Sequence, residues 1–139
     1  MIDRPTTRRP LGRREALDLM TGVPVGRVVV TEDALPAVYP VLFAVDGDCV
    51  VFRTLFDSAL AHAALDTIVA FQADRIDAAA RTGWTATVTG TSSPVDNQAE
   101  IERLDRLLPT EPGDEAKYTW IQVTSELVNG LLVQRPGDS

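Results

Sequence analysis

Period-two alternation of apolar and polar positions dominates the chain, and it predicts strands. Gly26 opens Arg27-Val28-Val29-Val30-Thr31, a β-branched run suited to a half-buried pleated surface, which ends at Glu32-Asp33. From Ala37 to Val45, one face carries Tyr39, Val41, Phe43 and Val45, and the other carries Val38, Pro40, Leu42 and Ala44. Both faces are apolar, which predicts a barrel-wall strand covered outside by a helix or a partner subunit. Pro40 has no N–H for a ladder, so a free edge, a bulge or a ligand is expected beside it. Asp46-Gly47-Asp48 turns the chain into Cys49-Val50-Val51-Phe52-Arg53-Thr54. Thr67 to Ala73 alternates again, followed by an expected loop over Asp74-Arg75-Ile76-Asp77. Trp84 to Thr91 sets Trp84, Ala86 and Val88 against a threonine row, and Tyr118 to Thr124 is a further strand. Asn129-Gly130 predicts either a last hairpin turn or a bulge in one strand ending at Val133.

Helical signals are short. Ala16, Leu17, Leu19 and Met20 predict an amphipathic helix over Arg13 to Met20, stopped by Thr21-Gly22 and Pro24. Asp57-Ser58 offers an N-cap to the alanine-rich Ala59 to Leu65. Asp96 could cap a third helix with Ile101, Leu104, Leu107 and Leu108 at helical spacing, ended by Pro109; a loop over Thr110 to Asp114 follows. Roughly six strands with few helices exclude a regularly alternating doubly wound sheet. The expectation is a mainly β fold of mostly antiparallel strands, closed or nearly closed, with about three short helices.

With 139 residues, 45% hydrophobic and 24% charged, the chain suits one domain with a sizeable core, with flexible tails expected over 1–10 and 135–139. A net charge of −7 disfavours nucleic acid and anionic membrane surfaces. Arg4, Arg8, Arg9, Arg13 and Arg14 form one local exception, either a basic arm or a solvated tail leading into the first helix. Lys117 is the sole lysine, so basic character comes from arginine. Cys49 is alone, which rules out an intramolecular disulfide and fits a reducing compartment. Charges interrupt Met1 to Met20, apolar stretches are too short to span a bilayer, and a cytoplasmic location is expected.

Three segments in order carry a family resemblance: Gly26 to Val30; Tyr39-Pro40-Val41-Leu42-Phe43-Ala44-Val45-Asp46-Gly47 through Thr54; and Arg81-Thr82-Gly83-Trp84 to Gly90. Together they resemble the pyridoxamine 5'-phosphate oxidase-like family over about residues 11 to 133. The resemblance implies a six-stranded antiparallel split β-barrel, a homodimer, and FMN, or in relatives F420, in grooves between the subunits. It also implies backbone groups of Pro40, Val41 and Leu42 near a flavin ring, with Arg53, Thr54 and Ser58 toward a phosphate. The residue types agree, because a guanidinium fork and hydroxyls suit an anion. Where relatives usually read Gly-Ser-Lys, this chain has Asp57-Ser58-Ala59, and Leu42 stands where Asn is common. Losing one charge-assisted hydrogen bond of about 1.5–3 kcal/mol weakens affinity roughly ten- to a hundredfold or more.

Trp84 and Trp120 are weighed as flavin-bordering or dimer-contact aromatics against plain core residues. His62, the only histidine, is weighed as an acid or phosphate ligand against a solvated helix residue, and Cys49 reads as packing. No spacing predicts a metal site. Two functions remain open: a flavin-dependent oxidoreductase whose substrate is unnamed, and a non-catalytic or cofactor-free dimer that binds or senses a small ligand.

Overall fold

The computed structural model describes residues 6–109, 113 and 116–135. In chain order the elements are β1 (Thr7–Pro10), α1 (Arg13–Met20), β2 (Val25–Glu32), β3 (Leu35–Asp46), β4 (Cys49–Leu55) and α2 (Ala59–Ala63). Then come β5 (Thr67–Asp77), β6 (Thr82–Pro94), α3 (Gln98–Leu104), β7 (Tyr118–Thr124) and β8 (Leu127–Gln134). Strands pair antiparallel in the order β1-β8-β6-β5-β2-β3-β4-β7, and a further β6–β7 pairing closes six of them into a barrel. The fold is therefore the expected mainly β, six-stranded antiparallel barrel with three short helices. β8 and β1 extend its sheet outward from β6.

Closure depends on a bend in β6. Gly83 to Thr89 pair with β8, whereas Ser92, Ser93 and Pro94 pair with β7. At the bend, a Cβ on Gly90 would lie 1.6 Å from the Thr124 carbonyl oxygen, so no side chain fits where the two partners meet. Ser92 is fully buried beside this seam, and its hydroxyl donates to the Ala64 carbonyl at 2.8 Å. Alternating inward residues fill the barrel: Val28 and Val30, Phe43, Val50 and Phe52, Val69 and Phe71, Ala86 and Val88, Ile121 and Val123. Leu17 and Met20 of α1 and Leu60 of α2 join this core.

Several boundaries differ from the sequence expectation. Asp74 to Asp77 continue β5 by pairing with Thr82 to Thr85, and their charged side chains are tolerated because this end of the hairpin is largely solvent-exposed. The turn falls at residues 78–81, where the Asp77 carboxylate accepts from the Ala80 N–H and Arg81 has φ +58°. Thr7 to Pro10 form β1 on β8 rather than a tail. Arg9 bonds Glu15, Arg13 reaches Ser125 and Arg14 reaches Asp48, so most of the arginine arm is tied down. Residues 1–5, including Arg4, and 136–139 lie outside the described residues, as does most of the expected loop from Thr110 to Asp114. Asn129-Gly130 make neither a turn nor a bulge: they sit in continuous register opposite Thr87 and Ala86. Gly130 instead leaves room for Leu11, whose Cδ1 would lie 2.8 Å from an added Cβ. Asn97, not Asp96, caps α3, accepting from the Glu100 N–H at 3.1 Å. Among the described residues, no helix is long and apolar enough to cross a membrane.

Candidate functional site

A groove opens where β3 and β4 part. Their ladder runs from Asp46↔Cys49 to Phe43↔Phe52 and stops there. Beyond that point β3 stays with β2, pairing Pro40 to Arg27 and Val41 to Gly26, while Arg53 to Leu55 stay with β7. The backbone of Pro40, Val41 and Leu42 therefore faces Arg53 and Thr54 across a gap of about 460 Å³, also lined by Tyr39, Leu55, Ser58, Ala59, Leu60 and Tyr118. That volume lies within the range of small-molecule sites, about 300–1,000 Å³. Seven of the nine sequence-named positions meet here.

Packing fixes the polar groups of the groove. The Arg53 guanidinium donates to the Pro109 carbonyl and lies 4.8 Å from the Tyr118 ring centroid and 5.9 Å from that of Trp120. A guanidinium carries five N–H donors in a fixed fork, so one tethered nitrogen leaves others to meet an anion. The Thr54 and Ser58 hydroxyls share a 3.0 Å hydrogen bond, and Ser58 caps α2 by accepting from the Ala61 N–H at 3.1 Å. Tyr39 hydrogen-bonds the Glu32 carboxylate, which holds its phenol above the usual range, so it stays neutral. Among the described residues, Arg53 is the sole charged side chain lining the groove.

The two tryptophans lie elsewhere. Trp120 is buried beneath the groove, its indole N–H donating to Asp105 at 2.7 Å, where it acts as the floor under Arg53. Trp84 pairs with Leu132 and Arg75 and lines a separate hollow beside β8. His62 lies outside the groove lining, 2.5 Å from Asp57, and both side chains are largely exposed. The carboxylate that replaces glycine in the relatives' pattern thus has a partner. Cys49 receives a 3.4 Å contact from the Gln122 amide, and burial pushes its thiol up, away from the nucleophilic thiolate. Sequence reasoning missed Tyr39, Leu55, Leu60 and Tyr118 as lining. The cross-strand pair Leu55↔Tyr118 extends the Arg53↔Trp120 row, but that register is invisible before β4 and β7 are known to pair.

The outer row of β3 is uncovered in the single chain. Val38 is 58% exposed and Leu42 43%, with Val25 opposite Leu42 equally open. The barrel side of β3 is packed as expected, and no helix of the described residues covers the exposed outer row.

Comparison with known proteins agrees with this architecture. An uncharacterized protein from Mycobacterium tuberculosis is 34% identical over 128 residues, covering 88% of this chain and 84% of the relative. The solved structure of an FAD-binding protein from Mycobacterium smegmatis superposes with a TM-score of 0.75 at 31% identity, covering 88% of this chain and 97% of that one. A Corynebacterium diphtheriae protein of unknown function gives 0.75 at 25% identity, covering 90% and 97%. The family model for pyridoxamine 5'-phosphate oxidase matches residues 12–131, the stretch holding the closed barrel and both walls of the groove, and the chain belongs to that family.

Proposed function

We propose that the chain is a flavin-nucleotide-binding homodimer of the oxidoreductase type, with the groove between β3 and β4 as its cofactor site. One observation carries this reading: the strands part where one wall presents the open backbone of Pro40, Val41 and Leu42 and the other presents Arg53, Thr54 and Ser58. Arg53 would hold the anionic end, with the two hydroxyls beside it. Tyr39 and Tyr118 would wall the groove, and the backbone opposite would contact the ring. A bound flavin itself supplies the electron- or hydride-transfer chemistry, while the protein contributes position and electrostatics. The similar M. smegmatis structure is of an FAD-binding protein, which puts FAD beside FMN and F420 as a candidate.

A second copy packed on the exposed Val25, Val38 and Leu42 row would cover that row and narrow the groove. A stable interface buries about 800 Å² per partner. Light scattering should give twice the chain mass, and Val38→Asp should shift it to the monomer. The lone, poorly ionised cysteine is compatible with a reducing cytoplasm.

The second reading, a cofactor-free or sensing dimer, draws on Ala59, which leaves the groove with one cation among the described residues. Fluorescence titration with FMN, FAD and F420 separates the two. Saturable quenching, weakened about ten- to a hundredfold in Arg53→Ala and strengthened in Ala59→Lys, supports the flavin site. Absence of quenching by all three, in wild type and in Ala59→Lys alike, favours the second reading.

A further inference from the structure

The rim of the β3–β4 groove carries a titratable pair. Asp57 stands one residue before Ser58, and His62 stands three residues after Ala59, one turn along α2; Ser58 and Ala59 both line the groove. The Asp57 backbone is left-handed, φ +62°, and its carboxylate oxygen lies 2.5 Å from His62 Nε2. We propose that this pair makes anion binding in the groove depend on pH: protonated His62 offsets the Asp57 charge and strengthens binding, whereas neutral His62 leaves an uncompensated carboxylate at the rim and weakens it. The inference rests on the reading of Arg53, Thr54 and Ser58 as the anion-binding end and adds its regulation.

The charge balance of the groove carries the argument. Arg53 supplies the single cation that lines it among the described residues, so one added charge at the rim changes the local field substantially. With His62 neutral, the pair adds a negative charge that opposes Arg53; with His62 protonated, it adds none. The His62 and Asp57 side chains are 63% and 71% exposed, so solvent and salt damp the interaction, and the pair tunes affinity without abolishing it.

The surroundings leave His62 as the group that responds. Histidine is the side chain that ordinarily changes charge between about pH 5 and 8, and this chain has one. α2 packs against β2 and β4, whose ionisable side chains are Arg27, Glu32, Cys49 and Arg53. Burial pushes the Cys49 thiol up, away from that interval. Glu32 accepts from the Tyr39 hydroxyl, and Arg27 bonds Gln72 and lies 3.6 Å from Asp74. Arginine and carboxylate side chains ordinarily titrate outside the interval, and Asp66 in the loop after α2 belongs with them. Because the protonated form binds the anion more tightly, a bound anion must in turn favour the proton on His62.

The test is an NMR titration of the full chain with sulfate, whose charge is constant over this interval, at fixed low ionic strength, following the Thr54 and Ser58 amides. Affinity should fall at least about threefold between about pH 5.5 and about pH 8.5, and the His62 ring resonances should titrate at higher pH when sulfate is bound. His62→Gln, which stays neutral, should bind at the weaker wild-type level at both pH values. Asp57→Asn, in which asparagine tolerates the left-handed backbone, should bind more tightly than wild type at the higher pH. Both side chains are largely exposed, so the variants should melt as wild type does. A pH dependence retained in His62→Gln, or no gain in Asp57→Asn, would overturn the role of the pair and leave the anion site standing. Absence of sulfate shifts at Thr54 and Ser58 at both pH values would overturn the site and the pair together.

Discussion

The two hydrophobic clusters of this chain lie back to back across β4. Val50 and Phe52 point into the barrel, where Phe71 sits between Phe43, 4.8 Å away by ring centroid, and Phe52, at 6.1 Å. Val51 points outward to a small cluster with Leu104, Leu108 and Trp120 beneath α3. Strands joined by long ladders make the inner cluster, so it holds the barrel shut. The outer cluster holds one helix, and the next residues of the chain bring the Pro109 carbonyl to Arg53, which also lies over Trp120. Stability is concentrated in the first and positioning of the groove in the second, so mutations should separate them.

The largest effect is expected inside the barrel. Phe71→Ala removes a ring that is wholly buried and touches two others, and should cost about 3–5 kcal/mol in urea unfolding. Anion binding by the fraction that remains folded should be unchanged. A loss of groove affinity at equal folded population would break the division of roles.

Leu104→Ala makes the reciprocal case. This side chain is 1% exposed but has few neighbours, so the cost should fall near the low end for such truncations, about 2–3 kcal/mol. Because Leu108 and Pro109 follow from the same cluster, FMN or inorganic phosphate affinity at the Arg53 groove should drop even where the protein is fully folded. Undiminished affinity would show that the Tyr118 and Trp120 rings suffice to orient Arg53.

Sequence legibility follows the same division. The β3–β4 hairpin was visible because Asp46-Gly47-Asp48 supplies a left-handed glycine, φ +60°, between two apolar runs. α1 was visible from its own period. These are local signals. The end of β5 was not, because Asp74 to Asp77 read as a loop until Thr82 to Thr85 pair with them. β1 escaped because an arginine-rich tetrapeptide carries no apolar face and is a strand only through β8. Arg53, Thr54 and Ser58 were legible as an anion site by residue type and resemblance. That Trp120 lies under the site and Trp84 across the barrel depended on register, which composition does not encode.

Asn97→Ala tests how firmly α3 is seated. Its side chain satisfies the Glu100 N–H, and losing such a cap costs about 1 kcal/mol, a few degrees in melting temperature. The groove should respond weakly, since the helix remains packed through Leu104. A larger loss of affinity than in Leu104→Ala would shift the positioning role from packing to the helix start.

The smallest effect should come from the ion pair that bolts α3 to the barrel. Arg103 contacts both Asp46 oxygens, at 3.0 and 2.7 Å, and also Glu100 at 2.6 Å. The Arg103 guanidinium holds the Asp46 carboxyl below its usual range, although burial pushes the other way. A carboxyl with a lowered folded pKa means that the unfolded chain binds more protons, so stability rises with pH across that interval. The contribution is complete above the ordinary aspartate value, about 3.9, and vanishes as pH falls through the folded value. Solvent and salt screen this partly exposed pair, which is why it ranks below the helix cap. Glu15 and Glu126 are also held low by their partners, so wild-type acid unfolding alone would mix three sources. The difference between wild type and Asp46→Asn isolates one. That gap in unfolding free energy should be widest at neutral pH and shrink as the solution is acidified; a gap independent of pH would show that α3 is held by the Leu104 cluster and not by charge.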